Sequence, residues 1–360
     1  MKDASGVKKW LWVAVVAALC GAQAASAAPR GLSATIDAEK SFLGDTDGAV
    51  VRVTLSNAAA EDLYVVYWQT IVRGVEDDIF DVRVDGKPVA YTGRHYKWAK
   101  PQAEDYVRIP AGRSVSAEVD LSAYYDMSRT GEYSIRYRAS IDNALSGAGT
   151  RIAAARGGEI ESNAVHMAVE RSERGRLLES FNQASFGDKA LSPGFVGCTT
   201  SRQSTLNTAL NNAESISLKS INYLNNVPVA SRSTDAAYRT WFGSYTSGRY
   251  STVQSHFTAI HSAFATKTVN FHCDCTSSAY AYVYTNQPYN IHLCNAFWNA
   301  PASGIDSTAG TLVHEMSHFT VVAGTSDYAY GTSACQRLAN TNPKKAINNA
   351  DSHEYFAETR

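Results

Sequence analysis

The segment His314-Glu315-Met316-Ser317-His318 combines residue types and spacing that point directly to chemistry. On an α-helix, residues four apart sit one turn apart on the same face. Two imidazoles in that relation can grip one zinc ion. Glu315 falls beside the pair, placed to act on a water at the ion rather than on the ion itself. The flanks Leu312, Val313, Met316 and Phe319 make the helix apolar on most sides. An exposed helix with two incidental histidines would not need those flanks, and a buried one would not carry His, Glu and His without partners.

A catalytic zinc needs a third protein ligand and one open position. A glycine three residues after the second histidine and a further histidine six after it would give one known arrangement, but Val321 and Gly324 stand there. A glutamate about twenty residues downstream on a second helix would give another, but that neighbourhood reads Arg337-Leu338-Ala339. The chain instead continues as Gly324-Thr325-Ser326-Asp327-Tyr328-Ala329-Tyr330-Gly331. Gly324 lets the chain reverse after the helix, and Asp327 can then return a carboxylate to the ion.

His-Glu-x-x-His followed by Gly-Thr-x-Asp-x-x-Tyr-Gly resembles the signature of the aspzincins, the deuterolysins and peptidyl-Lys metalloendopeptidases. Residues 238–245 (YRTWFGSY), 293–298 (LCNAFW) and 349–356 (NADSHEYF) resemble the Lys-specific branch. The resemblance runs from about Gly197 to the C-terminus. It implies a zincin-like α+β metallopeptidase with one Zn²⁺ held by His314, His318 and Asp327. It also implies Glu315 as general base and Tyr330 as hydrogen-bond donor to the tetrahedral intermediate. An aspartate ligand leaves the ion less positive than a third histidine would, and Tyr330 would compensate.

Asp351 and Glu354 are three apart on an expected helix and share a face. Spacing alone fits solvated helix charge equally well. The resemblance implies that this pair lines the pocket for the residue just after the scissile bond, the glutamate being what broad-specificity deuterolysins lack. The expected activity is hydrolysis on the amino side of lysine in protein or peptide substrates. A broad-specificity deuterolysin-like endopeptidase is the first alternative. A secreted binding protein with a structural zinc is the second, its ion closed by a fourth ligand such as His272, His292 or His353.

The elements that must position these groups fall into two parts. The chain has 360 residues, 44% hydrophobic, and Lys+Arg 33 against Asp+Glu 34. A net charge of −1 argues against a global basic field for nucleic acid. Residues 1–190 hold 48 of the charged side chains and the rest of the chain holds 19. Residues 1–27 read as a signal peptide: Lys8 and Lys9, an apolar run, then Ala25-Ser26-Ala27. A membrane anchor is the rival, weakened by the Ala, Gly, Gln and Ser that end the run. The mature protein is thus expected to be secreted, with no stable membrane insertion, and monomeric.

Residues 28–170 read as an all-β, immunoglobulin-like sandwich, with strands at 49–55, 63–68, 80–89, 133–137 and 164–169 and an Asp85-Gly86 turn. Its expected role is a latency-conferring propeptide; a permanent β-domain that binds a surface is the alternative. Residues 171–193 read as a linker with a processing bond at Asp188-Lys189, which such an enzyme would itself cut. The catalytic unit, 194–360, is expected to hold helices at 204–224, 252–265, from Asp306 or Ser307 to about Thr320, and 343–357. Strands are expected at 269–275, 280–285 and 290–294.

The cysteines suit export. Apart from Cys20 they all lie beyond Gly197, so no thiol of the β-rich half can latch the zinc. Cys273 and Cys275 are two apart in a β-like run and face opposite ways, so they should bond different partners. We expect Cys198–Cys273 and Cys275–Cys294, a pairing the resemblance also supports, with Cys335 a small buried hydrophobe. Zinc held by these cysteines is the rival, and their scattered spacing fits it poorly.

Overall fold

The computed structural model describes residues 31–147, 149, 158–171 and 192–360. The expected signal segment 1–27 and the bond at Asp188-Lys189 lie outside the described residues.

The first half is built from strands, and its described residues form no α-helix. Leu32–Ala38, Val50–Asn57 and Ser114–Asp120 form one antiparallel sheet. A second centres on Gly131–Ser140, flanked by Phe80–Val84 and Val165–Val169. A third joins Leu145–Ser146, Leu63–Val66 and Tyr106–Ile109. Side chains alternate strictly, as Leu32, Ala34 and Ile36 do toward the core, because successive residues of a strand face opposite ways. Asp85 (φ 49°) and Gly86 (φ 77°) make the tight turn after Phe80–Val84, both in the left-handed region that such a hairpin requires. Strand 63–68 stops at Val66 and passes into a single 3₁₀ turn, Tyr67–Gln69.

The second half packs helices against one sheet. The helices are α1 (Thr200–Asn226), α2 (Ala236–Phe242), α3 (Ser247–Thr266), α4 (Thr308–His318), α5 (Thr332–Thr341), α6 (Pro343–Ala346) and α7 (Ala350–Glu358). Thr199, Asp235, Thr246 and Ser307 cap α1 to α4, each side chain accepting a backbone N–H of the first turn. Aromatic packing of Tyr238, Phe242, Phe257 and Phe356 fills the core between α2, α3 and α7. Disulfides join Cys198 to Cys273 and Cys275 to Cys294, while Cys335 is unpaired and buried. Among the described residues no helix is long and apolar enough to cross a membrane.

Two expectations are corrected. The segment expected as one helix from Pro343 breaks at Ile347–Asn349, and a helix not foreseen, α5, precedes it. The helix carrying His314 ends at His318, short of the expected Thr320, because Phe319 turns extended.

The sheet of the second half runs Gly194–Val196, Asn270–His272, Asn290–Leu293, Ala281–Tyr284, and then Arg94–Lys97. The outermost strand therefore comes from the first half. It pairs antiparallel with Ala281–Tyr284, setting Lys97 opposite Ala281 and His95 opposite Val283. The two halves share a sheet rather than merely touching.

Candidate active site

Helix α4 is buried along its whole length, with His314, Glu315 and His318 at 0% exposure. Its N-terminus is fixed twice. Ser307 Oγ accepts from Gly310 N at 2.9 Å. The Glu358 carboxylate accepts from Asp306 N, Ser307 N and Ser307 Oγ, where the helix dipole favours negative charge. Gly310 makes that approach possible, since a Cβ there would lie 2.0 Å from Glu358 Oε1.

After α4 the chain reverses through Gly324 (φ 58°) and returns beside Asn349. Asn349 Oδ1 accepts from Tyr328 N and Ala329 N, both at 2.9 Å, and its Nδ2 donates to Ala329 O. These bonds clamp the two residues just after Asp327.

The carboxylate so placed meets both histidines. His314 Nε2 is 3.3 Å from Asp327 Oδ1, and His318 Nε2 is 3.3 Å from Asp327 Oδ2. A tetrahedral zinc with donors at about 2.0–2.1 Å separates those donors by about 3.3 Å. Both Nε2 atoms and both Asp327 oxygens are buried without a hydrogen-bond partner. Four orphaned buried donors at this spacing fit a metal ion and leave little else to explain them. The other imidazole nitrogens face polar partners: His318 Nδ1 lies 2.9 Å from Thr325 O, and His314 Nδ1 lies 2.7 Å from Asp351 Oδ1, an ion-pair approach without hydrogen-bond geometry. Such outer partners fix the ring so that Nε2 faces the ion.

The two histidines differ electrostatically: burial lowers the His314 pKa, but Asp327 and Asp351 outweigh it and hold that imidazole well above its ordinary value, a proton that an ion at Nε2 would have to displace. Burial pushes the His318 pKa down to about 3, which keeps its imidazole neutral and free to ligate. Burial alone would raise Asp327, but His318 and His314 hold its carboxyl well below the usual range. Burial likewise lifts Glu315 to about 8. Both Glu315 oxygens and Tyr330 Oη are shielded from solvent and have no hydrogen-bond partner.

Beside the histidines lies an acidic pocket, and a lysine fills it. Lys97 Nζ is 2.9 Å from Glu354 Oε2, 3.2 Å from Asp306 Oδ1 and 3.7 Å from Asp351 Oδ1. The Tyr280 ring lies 4.8 Å from the ammonium. Burial disfavours the charged form of Lys97, yet Asp351, Glu354 and Asp306 hold its pKa well above the ordinary value. A buried ammonium is tolerated only with such compensation. Asp351 does more than line the pocket, since it also contacts His314 Nδ1 and accepts from Gly331 N at 2.7 Å.

The second residue of the first half at this site is His95. Its Nδ1 lies 3.5 Å from Asp327 Oδ2, and its ring centroid lies 4.9 Å from that of His318. His95, His318 and Asp327 form one potential metal-holding group. The candidates for a fourth ligand are engaged elsewhere. Both nitrogens of His353 are occupied, by Asn349 O and His256, while His272 and His292 stack on each other. His95, Lys97, Asp306 and Asn349 escaped the sequence reading. Asp306 carried a signal only for a helix cap, and Asn349 only as the first residue of the segment 349–356 that resembles the Lys-specific branch.

A family profile described as lysine-specific metallo-endopeptidase, of the aspzincins, matches residues 229–358. An extracellular protease of Aeromonas hydrophila is 39% identical over 342 residues, covering 94% of this chain and 95% of its own. The chain belongs to the aspzincin family of zinc metalloendopeptidases. A peptidyl-Lys metalloendopeptidase of Armillaria mellea is 35% identical across 94% of this aspzincin and 95% of its own length. One from Pleurotus ostreatus is 48% identical over 166 residues, which is 46% of this aspzincin but 95% of the relative. Membership among metalloendopeptidases replaces the reading as a binding protein with a structural zinc.

Proposed function

We propose that this aspzincin is an exported endopeptidase that cuts on the amino side of lysine and is made as a latent precursor. The observation that carries the specificity is the pocket of Asp306, Asp351 and Glu354, closed around a lysine ammonium beside the metal-binding histidines. Arginine, longer and planar, fits three carboxylates converging on one point less well.

His314, His318 and Asp327 would hold one zinc, which supplies Lewis acidity at the scissile carbonyl and makes water nucleophilic near neutral pH. Glu315 takes the proton of the attacking water and returns it to the leaving amine. Tyr330 donates from its hydroxyl to the developing oxyanion. The Asp306–Asp351–Glu354 pocket fixes the register of the substrate, so that the bond before lysine meets these groups.

Residues 28–170 act as the removable part, read as an immunoglobulin-like sandwich; short strands of alternating burial around one apolar core support that reading. Cleavage at Asp188-Lys189 by the enzyme itself would free residues 189–360, acting as a monomer. A relative about half as long supports a free-standing catalytic unit. Export is supported by the name of the Aeromonas relative and by two disulfides, which suit an oxidising compartment.

The test is digestion of a denatured protein with the processed chain, followed by mass mapping. New N-termini should be lysines, and a chelator should abolish cleavage until zinc is restored. N-termini spread over many residue types would leave a broad-specificity endopeptidase.

A further inference from the structure

We infer, resting on the reading of His314, His318 and Asp327 as zinc ligands, that His353 is a positioning residue. Oriented by His256, it holds in place the segment on which the Asp327 carboxylate depends.

Asp327 lies in neither a helix nor a strand. Its neighbours are instead fastened to the break between α6 and α7, residues 347–349. Ser326 N donates to Asn348 O at 2.9 Å, and Ser326 O accepts from Ala350 N at 3.1 Å. On the other side of Asp327, Tyr328 N and Ala329 N donate to Asn349 Oδ1. The ligand carboxylate is thus straddled by bonds to residues 348–350, and its position follows theirs. A break between helices is a poor anchor by itself, because backbone groups at helix ends lack intrahelical partners. A further contact has to hold it still.

His353 makes that contact. Its Nδ1 lies 2.9 Å from Asn349 O, and its Nε2 lies 3.1 Å from His256 Nδ1 on α3. His256 is also hydrogen-bonded to the Ile347 backbone. Two imidazoles therefore tie α3 to both ends of residues 347–349. A carbonyl only accepts, so His353 carries its hydrogen on Nδ1, and its Nε2 accepts from His256 Nδ1. Burial pushes the His353 pKa down to about 3 and lowers that of His256, which keeps the relay neutral.

The surroundings do not call for polar groups. His353 is fully buried, and the rings of Phe242 and Phe257 stand 5.2 and 5.3 Å from its own. An apolar side chain would fill that slot without the cost of burying two ring nitrogens. What the histidines add is a continuous path of hydrogen bonds, from α3 through His256, His353 and Asn349 to the loop that presents Asp327.

The experiment uses the full chain carrying Glu315→Gln, so that it cannot process itself. Chelator competition reads zinc affinity, the visible spectrum of the Co²⁺ form reads site geometry, and melts of the metal-free chain read stability. His256→Leu and His353→Phe each replace an imidazole by an apolar side chain of similar size. Both should weaken zinc binding by about tenfold or more and shift the Co²⁺ spectrum. His256→Gln still offers a hydrogen to His353 Nε2 and should bind zinc as the parent does. Parent-like zinc affinity in His256→Leu and His353→Phe overturns the inference, whatever the melts show, since a merely structural pair would move the melts alone. Equal loss of affinity in His256→Leu and His256→Gln overturns it too. Nitrogen-15 NMR of the zinc-loaded parent should find the His353 hydrogen on Nδ1; a hydrogen on Nε2 refutes the relay even where a variant fails to fold. A parent chain that takes up no zinc would sink the ligand reading and this inference with it, whereas a parent that binds zinc beside unaffected variants sinks this inference only.

Discussion

Glu354 Oε2 stands 2.9 Å from Lys97 Nζ, while the neighbouring carboxylate of Asp351 turns its Oδ1 to His314 Nδ1 at 2.7 Å. Each acid also meets the other's partner at longer range, Glu354 Oε2 at 3.4 Å from His314 Nδ1 and Asp351 Oδ1 at 3.7 Å from Lys97 Nζ, so the two differ in which partner is nearer. In the processed enzyme, Glu354→Gln should lower kcat/KM for lysine substrates and erode the preference for lysine, with zinc content unchanged. Asp351→Asn should do the same and also weaken zinc binding by about 10–100-fold, because it would remove the outer partner of His314, a proposed ligand. Substrate profiling with chelator competition checks both. Equal zinc loss in the two variants would erase the distinction.

Tyr330 Oη is shielded and unpartnered. Tyr330→Phe should reduce kcat by about 100-fold or more, the scale of a lost oxyanion donor. KM and zinc stoichiometry should hold. Steady-state kinetics with metal analysis decides, and parallel loss of zinc would assign Tyr330 to metal retention instead.

Asn349 holds the Asp327 loop through two accepted bonds and one donated. Asn349→Ala leaves buried N–H groups unsatisfied and should cost about 1–3 kcal/mol of stability. Zinc affinity should fall as well, because Asp327 loses its anchor. Thermal melts with and without excess zinc measure both effects. A variant destabilised but with unaltered zinc affinity would show that Asp327 is placed without this clamp.

The disulfides close loops of different length, Cys198–Cys273 spanning 75 residues and Cys275–Cys294 spanning 19. Loop-closure entropy assigns about 4.5 kcal/mol to the first and about 3 kcal/mol to the second. Replacing each pair with alanine should therefore destabilise the longer loop more. Denaturant melts of the two variants test it, and the reverse order would point to enthalpic or unfolded-state control.

The catalytic helix was legible because its information is local. Ser307, the apolar flanks and the i, i+4 histidines all lie within a dozen residues, and Asp327 comes within ten more. The strand Arg94–Lys97 was not legible, because its meaning comes from pairing with Ala281–Tyr284, far along the chain. No periodicity within residues 90–100 announces a partner that distant. Asp306 read as a helix cap, since its place in the pocket depends on Tyr355 Oη, which donates to Asp306 Oδ1 at 2.8 Å. The last helix was read as continuous because Pro343 begins it well. It breaks before Ala350, where Asn349 serves the loop of Asp327.

Both covalent cross-links lie beyond Gly197, and the β-rich half has no cysteine with which to make one. If the backbone between the halves is cut as proposed, only non-covalent contacts hold the first half in place. The stapled second half should then outlast the unstapled first half, so that release by the proposed cut would be one-way.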